Sequence, residues 1–121
     1  MKTGVLLVAH GSRLAEANSH AVNIGNMVRK FHQIDPLVVC FMENAKPNLA
    51  EGIEELVALG VDEVKVIPLF LYNGVHIQKD IPEELEEIGK AHPQLRFTMG
   101  RPLGADERIA QLIFERIQEV G

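Results

Sequence analysis

The chain contains little that could cross-link it internally. Its 121 residues include one cysteine and no tryptophan, and aromatic residues make up 5% of the total. A single cysteine, Cys40, excludes an intrachain disulfide, a four-cysteine zinc site and an iron–sulfur cluster. Cys40 lies in the apolar run LVVCFM, where we expect it to act as a small buried hydrophobic residue.

Long hydrophobic runs and an excess of basic residues are also missing. No segment approaches the roughly 20 apolar residues of a membrane span, and the stretch MKTGVLLVAHGS has no small-residue cleavage site after its apolar part. We therefore expect a cytoplasmic protein that does not bind a membrane. The 12 Lys and Arg against 17 Asp and Glu give a formal net charge of −5, which argues against a nucleic-acid partner.

What the sequence does contain is a regular alternation of strand and helix patterns. Apolar runs bounded by turn residues predict two buried strands, at VLLVA and LVVCFM, a third strand at EVKVIPLFL and a short fourth strand at LRFTM. Each is followed by a segment with helical periodicity. This order gives a parallel sheet with right-handed crossovers and helices on both faces. We expect a single α/β domain over residues 1–121, with a four-stranded parallel sheet of flavodoxin-like topology.

Each predicted helix has an apolar stripe that should face the sheet. The stripes comprise Leu14, Ala17, Ala21, Ile24, Val28 and Phe31; Leu49, Ile53 and Leu56; Ile81, Leu85 and Ile88; and Ile109, Leu112, Ile113 and Ile117. We expect Gly60 to end the second helix, Asp80 to open the third by capping together with Glu83, and Asp106 to open the fourth.

The loops that follow the four strands carry most of the residues suited to chemistry. In a parallel sheet these loops converge on one edge, which is where open α/β sheets bind ligands. His10 and His76 come from the first and third loops, and Glu43 comes from the second. Neutral imidazoles suit late divalent transition metals, so the three side chains could hold such an ion and leave positions open for a substrate.

Structural roles for the same residues stay open at this point. His10 could instead pack under its loop as a structural histidine. Asp80 lies four residues after His76, so it could orient the second ring nitrogen of His76 or simply cap the third helix.

Three blocks of sequence resemble a known family. LLVAHGSR, FMENAKPNL and VIPLFLYNGVHIQKDIPEEL together are similar to the short sirohydrochlorin chelatases of the CbiX type, over nearly the whole chain. The third block, with Gly-x-His and Asp-Ile-Pro in register, is the most specific. The resemblance implies a chelatase-like domain that inserts a divalent metal into sirohydrochlorin, chiefly Co²⁺ on the route to cobalamin. Related members insert Ni²⁺ or Fe²⁺, so the metal is a substrate and no permanently bound cofactor is expected.

The resemblance also implies roles for individual residues. The family's metal-binding histidines match His10 and His76, and its acidic residue matches Glu43, so these three form the expected catalytic set. Metal insertion displaces two pyrrole protons, which Glu43 or a histidine freed of metal would accept. Sirohydrochlorin carries many carboxylates, and the candidate substrate contacts are Ser12, Arg13, Lys46, Tyr72, Gly74, Val75 and Arg101.

Short members of this family pair as homodimers and look like half of the double-length chelatases. The loop LYNGVHIQ is apolar for a ligand-binding rim, which fits either a cover for a flat macrocycle or contact with a second subunit. We expect a homodimer whose interface includes parts of the first or third strand-to-helix loops, or the helices beside them.

Two other functions remain open. The turn in HGSR could bind an anion, so His10 could serve phosphoryl transfer or hydrolysis beside Ser12 and Arg13, although His76 would then have no role. The absence of GxGxxG and of GxxxxGK[ST] argues against a nucleotide. Alternatively, the domain could carry cobalt or nickel without accelerating its insertion.

Overall fold

The computed structural model describes residues 1–121, with the exception of the side chains of Val75 and His76. Strands and helices alternate as predicted, which confirms the α/β class. The elements are β1 Thr3–Ala9, α1 Ala15–His32, β2 Leu37–Phe41, α2 Leu49–Ala58, β3 Glu63–Pro68, α3 Val75–Ala91, β4 Arg96–Met99 and α4 Glu107–Glu119.

The four strands form one parallel sheet in the order β2-β1-β3-β4. Val5 of β1 is in register with Leu37 of β2, and Leu6 is in register with Val66 of β3. The chain therefore leaves β1 in one direction to form β2 and later returns to the other side of β1 to form β3. This reversal places the carboxyl end of β1 at the switch point where open α/β sheets bind ligands.

One face of the sheet is covered by α2 and α3. Leu6 and Val8 of β1 pack there against Leu49, Ile53 and Leu56 of α2 and against Ile81 and Leu85 of α3, as the periodicity predicts. Cys40 is fully buried in the same cluster, which confirms its structural role. Burial raises the pKa of its thiol to about 12, and the negative charges of Glu84 and Glu55 add to the effect.

The other face is covered by α1 over only part of its width. Ala21 and Gly25 are the buried residues of α1, and a Cβ at Gly25 would stand 2.5 Å from Val39 Cγ2, so the helix lies close against β2. The predicted stripe is wrong in part, because four of its six residues are exposed, namely Leu14, Ala17, Ile24 and Phe31. The face of α1 that packs on the sheet is the one that carries Gly25, because glycine allows the close approach. A search for apolar residues at helical spacing overlooks glycine and therefore does not identify this face.

The fourth helix differs most from the prediction. Asp106 is its N-cap, with the side chain accepting a hydrogen bond from Arg108 N, as the sequence predicts. None of its residues is buried, however, so the expectation that its apolar stripe faces this sheet is wrong. Helical periodicity identified an apolar face but could not identify what covers it.

Among the residues described, no helix combines the length and apolar composition that a membrane span requires.

The third helix begins earlier than predicted. Its N-cap is Gly74, and the carbonyl of Gly74 accepts hydrogen bonds from the N–H groups of Ile77 and Gln78. Asp80 lies inside the helix and Pro82 follows it there, so the expected cap at Asp80 is wrong. The acid before Ile-Pro imitates a helix start, because proline is favoured in a first turn. Gly60, by contrast, has φ +84° directly after α2, as its predicted role at a helix end requires.

Candidate functional site

His10 and Glu43 lie side by side at the carboxyl ends of the two strands that precede them. His10 follows β1 and Glu43 follows β2, and His10 Nε2 is 3.4 Å from Glu43 Oε1. The main chain extends the parallel pairing past the strand ends, because Met42 N donates to Ala9 O and Glu43 N donates to His10 O, both at 3.0 Å. Both side chains remain more than half exposed, so a ligand can reach them.

Gly11 allows the first two loops to approach this closely. Its φ is +97°, a conformation that favours glycine. A Cβ at this position would stand 1.7 Å from Glu43 O. The glycine of HGSR therefore lets the two loops pack closely enough to place His10 next to Glu43.

The His10 ring is oriented by its neighbours. Nδ1 lies 3.1 Å from Gly11 O, and because a carbonyl only accepts, the bond requires a proton on Nδ1. In the neutral ring, Nε2 then carries the free lone pair on the side of Glu43. The ring also meets Phe70 edge-on, with centroids 6.4 Å apart and planes at 87°. A histidine that gives one N–H to a carbonyl and frees its other nitrogen is arranged as metal-binding histidines usually are.

The distance between the two side chains suits a shared metal ion. In tetrahedral sites, typical metal–nitrogen distances of about 2.0–2.1 Å and metal–oxygen distances of about 2.0–2.2 Å put the two donors about 3.4 Å apart. Nε2 of His10 and Oε1 of Glu43 have this separation. The pair could thus hold a divalent ion without rearrangement.

An acidic wall borders the pair. His10 and Glu43 open into a cleft of about 670 Å³. Its other lining residues are Met42, Ile77, Asp80, Glu83, Glu84 and Glu87. Burial raises the pKa of Glu84, and the nearby Asp80 raises it further. The concentration of carboxylates makes this cleft attractive to cations.

The remaining predicted contacts are distributed around the rim. Ser12 Oγ accepts a hydrogen bond from Leu14 N at 3.1 Å, so its side chain serves the start of α1. Lys46 Nζ lies 3.6 Å from Glu51 in an exposed ion pair. Arg13 is exposed. Tyr72 and Arg101 together line a cavity of about 290 Å³ between the third and fourth loops.

The structure brings together two of the three predicted catalytic residues. Gly74 and the backbone of His76 belong to the start of α3, but the side chains of Val75 and His76 lie outside the described part of the chain. Among the described side chains, no three His, Cys, Asp or Glu residues form a group that could hold a metal. Joint coordination by His10 and His76 therefore stays a prediction. Asp80 is four residues after His76 on one helix, so the alternative in which it orients that ring also stays a prediction.

Sequence reasoning did not identify three features of the site. Phe70 was placed in a strand, although its ring supports His10. The carboxylates of α3 recur at spacings of three, one and three, which puts them on one side of a helix and could have signalled the acidic wall. Asn18 forms two hydrogen bonds with the main chain of Ser12. Nothing in the sequence pattern around Asn18 indicates this contact.

Comparison with known proteins gives consistent matches. The CbiX family model matches residues 4–120. A sirohydrochlorin cobaltochelatase from Sulfurisphaera tokodaii is 38% identical over 117 residues, which cover 97% of this chain and 92% of that protein. A sirohydrochlorin ferrochelatase from Priestia megaterium is 36% identical over 95% of this chain. The solved sirohydrochlorin chelatase SirB from Bacillus subtilis subspecies spizizenii, in complex with cobalt, superposes with a TM-score of 0.92 at 29% identity.

The relatives fall into two lengths. The chain spans nearly all of the Sulfurisphaera protein, but 43% of the Priestia ferrochelatase and 51% of SirB. The SirB superposition nevertheless covers 99% of this chain, so it includes α4 as well as the sheet. Since the family model matches almost every residue and a relative of similar length is more than a third identical, the chain belongs to the CbiX family.

Proposed function

We propose that this protein is a chelatase that inserts a divalent metal ion into sirohydrochlorin. The observation that carries the proposal is the pair formed by His10 and Glu43, 3.4 Å apart at the switch point of the sheet, in a chain of the CbiX family. The cobalt- and iron-inserting relatives act on the same ring, as their names state. Phosphoryl transfer has no comparable support.

Cobalt is the metal we propose first. The Sulfurisphaera relative, which this chain covers over 92% of its length, is a cobaltochelatase. Iron is the second candidate, because the Priestia relative is a ferrochelatase. A site of imidazole and carboxylate donors binds divalent metals in their general order of affinity and does not select between these two.

The metal and the ring would approach the pair from different sides. The carboxylates of α3 attract the cation towards His10 and Glu43 but repel the acidic tetrapyrrole. The carboxylates of the ring would instead meet the exposed guanidinium groups of Arg13 and Arg101, which can bind them through two hydrogen bonds each. Tyr72, beside Arg101, offers an exposed ring and a hydroxyl at the same edge.

Insertion requires an exchange of charge at this site. The free-base ring loses two N–H protons as it gains the metal ion. His10 would hold the ion through Nε2 and release it to the ring nitrogens. Glu43, within 3.4 Å of Nε2, would accept one of the two protons, and the imidazole freed of metal would accept the other. His76 would complete the metal site as a second imidazole ligand.

The test is a comparison of insertion rates. The visible spectrum of sirohydrochlorin is followed with Co²⁺, Ni²⁺ and Fe²⁺, with and without the protein. We expect the protein to accelerate the spectral change, most with Co²⁺. Metal binding without acceleration would show a carrier, and no effect of the protein with any of the three metals would refute the proposal.

We further propose that the protein is a homodimer in which α4 packs against the partner. The apolar side chains of α4 are exposed, with Ile113 55% and Ile117 62% accessible. A helix face of charged side chains is stable in water. The face of α4 instead consists of Leu, Ile and Phe side chains, and an exposed apolar patch of this kind marks a surface that packs against a partner. The chain is therefore incomplete as a monomer.

The same chain presents a second apolar surface that could receive this helix. This surface is the flank of α1 that carries Ile24, Met27 and Phe31, which are exposed beside the half of the sheet that α1 leaves open. The opposite flank of α1, with Val22, Asn26 and Arg29, faces the groove along the edge strand β2. A twofold axis would let each α4 cover this surface of the other copy, which is the reciprocal exchange expected of a symmetric dimer. The longer SirB chain has about as many residues again beyond the matched half, an amount that a second copy would supply here.

A further inference from the structure

The side chain of Asn18 forms two hydrogen bonds to the loop that carries His10. Asn18 is half-buried near the start of α1. Its Oδ1 accepts a hydrogen bond from the Ser12 N–H at 2.8 Å, and its Nδ2 donates a hydrogen bond to the Ser12 carbonyl, also at 2.8 Å. One side chain therefore satisfies both main-chain groups of a residue in the loop.

One of these hydrogen bonds affects His10 through a single peptide unit. The Ser12 N–H belongs to the same peptide unit as the Gly11 carbonyl, and because the unit is planar, the two groups rotate together. Gly11 O is the atom that accepts the hydrogen bond of His10 Nδ1 at 3.1 Å. A rotation that removed the Ser12 N–H from Asn18 would also turn the Gly11 carbonyl away from His10.

This peptide unit needs an external restraint. Glycine can adopt many backbone conformations, so the φ of Gly11 does not by itself fix the plane of the peptide that follows. The Ser12 hydroxyl does not restrain that plane either, because Ser12 Oγ is the acceptor for Leu14 N. Asn18 supplies the hydrogen bond that does, through Oδ1 to the Ser12 N–H.

We propose that Asn18 is a positioning residue for His10. By holding the Gly11–Ser12 peptide unit, it keeps the proton of the neutral imidazole on Nδ1 and directs the lone pair of Nε2 towards Glu43. The consequence for metal binding rests on the proposed function, whereas the position of the ring proton is a property of this chain alone. Groups that orient a metal-binding histidine through its other nitrogen typically contribute 10–100-fold to metal affinity.

A purely structural role makes a different prediction. The N-cap of α1 is Leu14, which provides no side-chain cap, so Asn18 could serve only to stabilise the start of the helix. Removing it would then lower the stability of the protein and leave the His10 ring unchanged.

The experiment compares Asn18→Ala with Asn23→Ala, a matched change at an exposed asparagine of the same helix. Alanine favours helix, and circular dichroism checks that both variants fold. The ring proton is located by NMR on ¹⁵N-histidine-labelled protein at about pH 8, above the ordinary imidazole pKa of about 6.5. The His10 signals are assigned by their loss in His10→Gln. Co²⁺ affinity is measured by titration calorimetry.

We expect His10 to be protonated on Nδ1 in the unmodified protein and in Asn23→Ala. In Asn18→Ala, we expect a shift towards the form protonated on Nε2 and a weakening of Co²⁺ binding by about tenfold. An unchanged ring and unchanged affinity in folded Asn18→Ala would overturn the proposal. A changed ring with unchanged affinity would support the positioning role and count against His10 as a metal ligand, which separates the two proposals.

A measurement on the unmodified protein applies even if Asn18→Ala does not fold. The Ser12 amide is hydrogen-bonded to Asn18, so its hydrogen exchange should be slower than in an unstructured peptide, by about tenfold or more. Exchange at the unstructured rate would show that the contact does not persist in solution, and this result would also overturn the proposal.

Discussion

Replacement of Gly11 by alanine should separate the two loops that carry His10 and Glu43. A Cβ at this position would stand 1.7 Å from Glu43 O, and this distance must increase to at least 3.0 Å before the contact becomes tolerable. The second loop must therefore retreat by more than about 1 Å, a shift that weakens the hydrogen bond from Glu43 N to His10 O. Overpacking costs about 1–3 kcal/mol and the lost hydrogen bond about 1 kcal/mol.

Gly60→Ala is the matched control for the effect of backbone conformation. Gly60 also has a positive φ, of +84°, but no atom of the described residues lies within 4 Å of the position its Cβ would take. Both variants therefore share the conformational cost of about 1–2 kcal/mol that a Cβ incurs in this region. We expect Gly11→Ala to lower the free energy of unfolding by about 2–4 kcal/mol more than Gly60→Ala does.

Urea unfolding and Co²⁺ titration test this prediction together. Gly60→Ala should keep the Co²⁺ affinity of the unmodified protein, whereas Gly11→Ala should bind Co²⁺ at least about tenfold more weakly, because its two donor side chains no longer lie 3.4 Å apart. If both variants unfold at the same urea concentration and bind Co²⁺ equally well, the close approach of the two loops does not create the site.

Three further predictions concern other parts of the molecule. Glu43→Gln keeps the shape of the side chain but removes the proton acceptor, so insertion of Co²⁺ into sirohydrochlorin should slow by on the order of 10²-fold; an unchanged rate at every pH would assign Glu43 to structure. Ile113→Lys should convert a dimer into folded monomers in light scattering, while Gln118→Lys, on the opposite side of α4, should leave the mass unchanged; a dimer that survives Ile113→Lys would exclude the α4 contact. Burial raises the pKa of the Cys40 thiol from its ordinary value of 9.0 to about 12, so between these pH values the folded state keeps a proton that the unfolded chain loses. The free energy of unfolding should therefore fall as pH rises above about 9, and Cys40→Ala should lessen that fall in a denaturation series.

Local sequence patterns were sufficient to predict the order of strands and helices and the edge of the sheet at which His10 and Glu43 lie. A run of apolar residues that ends in a polar turn predicts a strand from local residues alone, and the parallel order then follows from strands that alternate with helices. His10 and Glu43 were placed at one edge of the sheet for this reason. The same reasoning correctly placed the buried stripes of α2 and α3, because both helices pack on a completed face of the sheet.

Tertiary structure alone decided which surfaces meet. Periodicity shows that α4 has an apolar face, but the exposure of Ile113 and Ile117 depends on where the chain runs after β4. The 3.4 Å contact of His10 with Glu43 depends on how closely Gly11 lets two separate loops approach, and the bonds of Asn18 depend on where α1 begins relative to Ser12. Sequence patterns are local, whereas each of these contacts joins groups whose separation is fixed only when strands and helices pack together.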